Sequence, residues 1–195
     1  MVATSSRPRA STRARVRRAG LIALAVFLAY AVAAVGCFVL PASDPLPRHA
    51  DVAMVLGPPT PERRATAMHL LDTGVVDAVQ ISLAQDYRQR GTSASLAAAL
   101  CRRDRERVHC ALPVPYTTQG EARMLRDGAE AHGWRSAIVI TQNAHLRRAR
   151  TIVSRCFSGA IAMRTSGERP THGWGYQVAY QTLASLKAWF VTPGC

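Results

Sequence analysis

Apolar and polar positions alternate along this chain in a recurring block: a short apolar run, a polar turn, then an apolar stripe at helical spacing. The clearest block runs from Ile138 to Arg150. Ile138, Val139 and Ile140 suit a buried parallel strand, because β-branched side chains fit the pleat and such strands are covered on both faces. Thr141 and Gln142 then stand at the strand's carboxyl end. Asn143 is a good helix cap, and Leu146, Ala149, Ile152, Val153 and Cys156 fall on one side of the helix it would start. His145 lies in the first turn, followed directly by Arg147 and Arg148. A helix amino terminus already carries partial positive charge and unpaired amide donors, so cations there are mismatched unless an acid or an anion lies close. Solvated surface charge is the alternative reading of these arginines.

The block recurs along the chain. Val52 to Leu56 is an apolar run ending at Gly57, after which Thr60, Pro61 and Glu62 supply a cap, a first-turn proline and a first-turn acid. Ala65, Met68 and Leu71 form the expected buried stripe of that helix, and Gly74 stops it. Ala78 to Ser82 reads as a second strand, Ser95 to Arg102 as an Ala-rich helix and Val108 to Val114 as a third strand. Thr118 opens a helix that runs through Ala122, Leu125 and Ala129 to Gly133. Ala160 to Met163 is a short fifth strand, and Tyr176 to Val191 a final amphipathic helix carrying Val178, Leu183, Leu186 and Phe190. This alternation predicts an α/β fold, a three-layer Rossmann-like sandwich around a mostly parallel sheet of about five strands. In such sheets ligands bind outside the carboxyl ends of the strands.

One run breaks the pattern. Ala19 to Leu40 holds 22 consecutive residues without a charge, and a helix of that length spans roughly 33 Å, enough for one transmembrane helix. The chain then divides into a basic tail (1–18), the span (19–40), a Pro-rich linker (41–50) and one α/β domain (51–195). Six arginines and no acid precede the span, and Asp44 follows it. That asymmetry puts the amino terminus in the cytoplasm and the domain outside the plasma membrane, in a single-pass arrangement. The tail, expected to be disordered, can lie on anionic lipid headgroups. Pro41, Pro45 and Pro47 favour an extended spacer that lifts the domain off the bilayer. A cleaved signal sequence and lipidation at Cys37 are the rival readings of this region. Setting the tail's six arginines aside reduces the formal charge from +13 to +7. With no aromatic-interleaved basic patch, a nucleic-acid partner is not expected.

Beyond the span stand Cys101, Cys110, Cys156 and Cys195. An even count outside the cytoplasm suggests two disulfides, with three possible connectivities. Cys101 with Cys110 would close the loop before the third strand, and Cys156 with Cys195 would tie down the chain end; a free reactive thiol is the alternative. No cysteine pair has metal-ligand spacing with a neighbouring histidine, so no metal is expected.

VAMVLG at the first strand, Arg63 eleven residues before Gly74, TTQGEA at Thr117 to Ala122 and ITQNAHLRRA at Ile140 to Ala149 stand in succession behind the amino-terminal anchor. Together they resemble the YdcF-like family of SanA/ElyC-type, membrane-anchored bacterial envelope proteins. The resemblance implies a Rossmann-like domain and a part in cell-envelope integrity, peptidoglycan synthesis or lipid-carrier metabolism, but no defined reaction and no cofactor. Position by position, Gly57 matches the glycine ending the first strand, and Arg63 the family arginine, a role Arg64 could also fill. Thr118 and Glu121 match the Thr-x-x-Glu-Ala motif, although the same spacing is that of a helix capping box. Thr141, His145 and Arg148 match the threonine, histidine and arginine of the last motif. The chain departs from the family in reading Ser82, Leu83, Ala84 where relatives have Ser-Gly, and in carrying Pro58 and Pro59 where glycines are common.

One acid among several cations and hydroxyls describes an anion site better than a metal site. The expected function is a membrane-anchored envelope protein that supports peptidoglycan biogenesis by binding a phosphate-bearing or nucleotide-like metabolite at the strand ends. Arg63 and Arg148 would meet the charge, with Gly57, Thr118, Glu121 and Thr141 around them. If there is chemistry, His145 is the acid or base, since an ordinary imidazole titrates near about pH 6.5. A hydrolase or transferase acting on a phosphorylated or lipid-linked precursor, and a noncatalytic structural partner, are the alternatives. The expected partners are the lipid bilayer, anionic headgroups, and an anionic small molecule or lipid-linked phosphate.

Overall fold

The two most apolar runs of the domain, 52–56 and 137–140, lie side by side at the centre of the sheet, where both faces are covered. The computed structural model describes residues 9–40, 43–83, 99–102, 104–170 and 172–195. Its strands are β1 (Ala50–Val55), β2 (Val76–Ser82), β3 (Val108–Ala111), β4 (Ser136–Thr141) and β5 (Ala160–Thr165). All pair in parallel in the order β3-β2-β1-β4-β5, so the strand order reverses between β1 and β4. Val55 sits in register with Ile81 on one side and Ile140 on the other, which aligns the carboxyl ends of β1, β2 and β4.

Successive residues of a strand face opposite ways, and the two cores separate accordingly. Val52, Met54, Leu56 and Val139 pack under Ala122 and Leu125 of α3 (Thr118–His132) and Leu146, Ala149 and Val153 of α4 (Leu146–Cys156). Ala53, Val55, Ile138 and Ile140 pack on the other face with Ala67, Leu70 and Leu71 of α2 (Pro61–Asp72). The result is the three-layer α/β sandwich expected from the pattern. Thr60 caps α2 by accepting from the Arg63 amide, and Gly74 ends it with φ 71°.

Several elements differ from their expected form, each for a local reason. The buried side of α2 is Arg63, Arg64, Ala67, Leu70 and Leu71, while Ala65 is exposed and Met68 half-buried. The two arginines turn inward to bond loop carbonyls, which rotates the helix face. Strand β3 stops at Ala111 instead of reaching Val114, since Pro113 and Pro115 have no amide to give a ladder. Residues 99–102 are helical, whereas the rest of the Ala-rich helix expected from Ser95 lies outside the described residues. Asn143 caps no helix: a 3-10 turn, Asn143–His145, precedes α4, and the Asn143 side chain instead bonds Thr165 and the Val39 carbonyl.

At the amino end, α1 (Arg9–Ala34) continues through a π-helical turn, Val35–Val39. Its stretch Ala14–Val39 is long and apolar enough to cross a membrane. The helix extends back through Arg18 to Arg9, residues expected to be disordered, because alanine and arginine propagate a helix already nucleated in the apolar run. Residues 43–49 are not a free spacer. The Thr165 amide donates to Ser43 Oγ at 3.1 Å, the Asp44 amide to the Met163 carbonyl at 3.0 Å, and the Met163 amide to the Asp44 carboxylate at 2.7 Å. Asp44 also pairs with Arg150, so the linker covers the open edge of β5.

The final helix, α5 (Trp174–Phe190), reverses the expected stripe: Gln177, Gln181 and Ala188 are buried, Val178 is half-buried, and Leu183, Leu186 and Phe190 are exposed. Cys101–Cys110 and Cys156–Cys195 are both disulfide-bonded, with Cα atoms 5.9 and 4.9 Å apart. The chain end is stitched further to α3, where Arg123 donates to the Cys195 carbonyl at 2.7 Å and Gln119 to the Gly194 carbonyl at 3.0 Å. The Cys156–Cys195 bond closes a separation of 39 residues. Replacing both cysteines by serine should lower unfolding free energy by roughly 2–4 kcal/mol in urea titrations. An unchanged midpoint would show that the tail adds nothing to the fold.

Candidate functional site

The carboxyl ends of β1 and β4 lie on either side of the point where strand order reverses, and a cavity of about 250 Å³ opens there. Gly57, Arg63, Thr118, Glu121, His145 and Arg148 all line it. Thr141 does not: it is wholly buried beneath the rim, and its hydroxyl has no hydrogen-bond partner among the described residues.

The loop after β1 is shaped from inside. The Gly57 amide donates to Glu121 Oε1 at 2.5 Å, and a Cβ on Gly57 would stand 3.2 Å from both that oxygen and Ser82 Oγ. The missing Cβ eases the approach of a carboxylate of this protein itself. Arg63, expected to meet a ligand's charge, is instead a clamp. Its Nη1 donates to the carbonyls of Leu56, Gly57 and Pro58 at 2.9, 3.1 and 3.2 Å, and Nε donates to Glu168 at 3.0 Å. Its Nη2 completes an ion pair with the same carboxylate, both side chains being almost entirely buried. Glu168 also accepts from Thr60, which fastens the loop after β5 to the start of α2. Arg64 is buried nearby and bonds the Pro59 carbonyl.

The Thr118–Glu121 spacing is not a capping box. Thr117 is the cap of α3, accepting from the Gly120 amide at 3.3 Å, and Glu121 reaches across to Gly57 instead. This frees Thr118 to contact His145, Oγ1 to Nε2, at 3.3 Å. Burial pushes the Glu121 carboxyl up, opposed by the Gly57 amide, the Ser82 hydroxyl beside it, Arg63 and Arg148. Ser82 is itself buried without a hydrogen bond of good geometry.

His145 is buried, and its Nδ1 has no partner. Burial first, then the charges of Arg148 and Arg63, hold its pKa well below the ordinary 6.5. The ring is therefore neutral at working pH. Arg148 follows on the first turn of α4 and is the cation left over. Its Nε donates to Gln181 Oε1 of α5 at 2.9 Å, but its terminal nitrogens bond no described residue. Burial lowers its pKa, opposed by Tyr180 and Glu121, yet a guanidinium stays charged. The neighbouring Arg147 is exposed, and Arg150 is held by Asp44.

Glu168, Tyr180 and Gln181 were not among the residues expected at the site. Glu168 is the sole acid after Glu130, which was a usable signal for a buried partner. Tyr180 and Gln181 sit in a helix whose buried face could not be inferred from its apolar residues. Among the described residues the cluster spaced to hold a cation is His49, Asp51 and Asp77, at the opposite, amino end of β1 and β2. Asp51 there already accepts the amides of Arg135 and Ser136 at 2.6 and 2.8 Å, and His49 pairs with Asp77 at 3.1 Å. No protein-family model matches this chain, and no curated protein or solved structure is significantly similar to it.

Two outcomes follow from these contacts. Glu168→Ala leaves the buried Arg63 charge uncompensated and should cost about 3–5 kcal/mol of stability in chemical denaturation; a loss under about 1 kcal/mol would mean the loop rearranges freely. His145 has a lowered folded pKa, so below its ordinary value the unfolded chain binds a proton that the folded chain does not. The stability this contributes is complete above pH 6.5 and is lost as pH falls from there toward the folded value. Unfolding free energy should thus drop more steeply between about pH 7 and about pH 5 in the wild type than in His145→Gln. Equal slopes would mean that folding leaves the His145 pKa unchanged.

Proposed function

We propose that this protein is a membrane-anchored envelope protein that binds the phosphate group of an envelope metabolite at the β1/β4 cavity and thereby supports peptidoglycan biogenesis. The observation that carries this is Arg148: a half-buried cation, held by Gln181 at Nε, which lines the cavity and whose terminal nitrogens bond no carboxylate among the described residues. An oxyanion is the ligand such a fork recognises. Arg63, neutralised by Glu168, positions the loop and does not contact the ligand.

The apolar stretch of α1 is read as a bilayer anchor with the amino terminus cytoplasmic. The arginines ahead of it support that orientation, and two disulfides fit a domain in an oxidising compartment. The envelope role draws on the YdcF-like resemblance of the motifs that meet at the cavity.

A catalytic reading, hydrolase or transferase on a phosphorylated or lipid-linked precursor, rests on His145. A neutral imidazole with Nε2 at the cavity is a base in its resting state, and Glu121 is the buried acid near it.

Calorimetry on the full chain in detergent, titrated with inorganic pyrophosphate and a polyprenyl phosphate, tests the proposal. Heat is expected with at least one of them, and Arg148→Ala should weaken that binding about 10- to 100-fold while Arg148→Lys retains part of it. Undiminished binding by Arg148→Ala, or none by the wild type, would refute the phosphate site. Release of inorganic phosphate that His145→Gln abolishes would decide for the catalytic reading.

A further inference from the structure

Helix α5 is built inside out for a protein in water. Its 17 residues contain one charge, Lys187. Gln177 and Gln181 are buried at 7% and 1% exposure, whereas Leu183, Leu186, Trp189 and Phe190 are 69%, 51%, 63% and 79% exposed. A contiguous patch of this size on one helix face marks contact with an apolar phase. Polar side chains inside and apolar ones outside is the arrangement expected when the outside is lipid.

The position of α5 identifies that phase. Of α1, Ala34 is buried, and Ala31, Cys37 and Phe38 on the same side are half-buried, so this side of the helix packs on the domain. Tyr30, one turn earlier on that side, shares a hydrogen bond of 2.9 Å with Thr182 in the middle of α5. Tyr30 lies ten residues before Leu40, roughly 15 Å of helix inside the outer end of the apolar run. Helix α5 therefore lies beside the outer half of the segment read as the anchor. Trp189 shares a recess of about 490 Å³ with Cys37, Phe38, Arg147 and Arg150, which joins the apolar face of α5 to the end of α1 beneath a basic rim.

We infer that α5 is a second membrane contact alongside the anchor whose Leu183, Leu186, Trp189 and Phe190 face is immersed in the outer leaflet, while its buried face supplies Gln181, and its edge Tyr180, to the cavity. The occupant of the apolar face is lipid. Lys187 reaches to the headgroups along its own alkyl stem. This inference rests on the reading of α1 as a bilayer anchor and not on the identity of the ligand.

The test uses the full chain in phosphatidylcholine nanodiscs with lipids brominated along the acyl chain, which quench tryptophan on contact. Trp134→Phe with Trp174→Phe leaves Trp189 as the sole reporter of the three tryptophans. A companion in which all three are phenylalanine and Phe27→Trp is introduced reports on the anchor itself. Quenching of both reporters by brominated lipid, with Trp189 shielded from aqueous acrylamide, supports the inference. A quenched Phe27→Trp reporter beside an unquenched Trp189 overturns it and leaves the anchor standing. If neither is quenched, the anchor reading and the inference fall together. An unquenched Trp189 accompanied by two chains per disc would mean that a second copy covers the face, which also overturns it.

Discussion

The guanidinium of Arg63 lies almost entirely buried at the carboxyl edge of the sheet, with Glu168 on two of its nitrogens and three consecutive carbonyls of the β1 loop on the third. Such a charge is tolerable in the interior only because every face of the fork is occupied. That requirement joins three parts of the chain: the loop after β1, the amino end of α2 and the loop after β5. The loop so fixed presents the Gly57 amide to Glu121, and Glu121 in turn anchors the first turn of α3 against β1. A line of hydrogen-bonded groups thus runs along the cavity floor from one buried ion pair to Glu121.

The charge balance of the site follows from that pairing. Glu168 cancels Arg63, and Asp44 takes Arg150, so Arg148 remains as the cation with donors to spare. The same two guanidinium groups, with burial, keep His145 neutral. The anion proposed for this cavity would meet one positive fork, a neutral imidazole and a hydroxyl, instead of a diffuse basic surface. This is a stronger basis for recognition than the chain's net charge, much of which sits in the amino-terminal arginines.

Much of this was legible before any coordinates. Strand order could not be read, but the apolar runs at 52–56 and 138–140 announced two strands buried on both faces, and the motifs around Glu121 and His145 named residues that do converge on one cavity. The roles were harder. Arg63 and Arg148 look alike as residue types, and only the position of Glu168, more than a hundred residues from Arg63, tells the clamp from the free cation. Thr118 and Glu121 had the spacing of a local cap. Their true partners, His145 and Gly57, are 27 and 64 residues away. Thr141 carried the right motif and yet points into the interior, because the strand's last residue is still covered on both faces.

Local chemistry is enough to specify elements, since periodicity, caps and glycine stops act within a few residues; hence the sequence alone determined the five strands, the long apolar helix and an α/β alternation. It also narrowed the cysteines to a pairing that loop lengths made natural. What lay beyond it were the contacts whose sign depends on distant neighbours. The tertiary structure decided which arginine is neutralised, that the linker lies along β5 instead of standing free, and that α5 buries glutamines while exposing leucine, tryptophan and phenylalanine. In each case the reason is the same: a side chain's pattern states what it prefers, but only the fold determines which medium or partner is there to meet it.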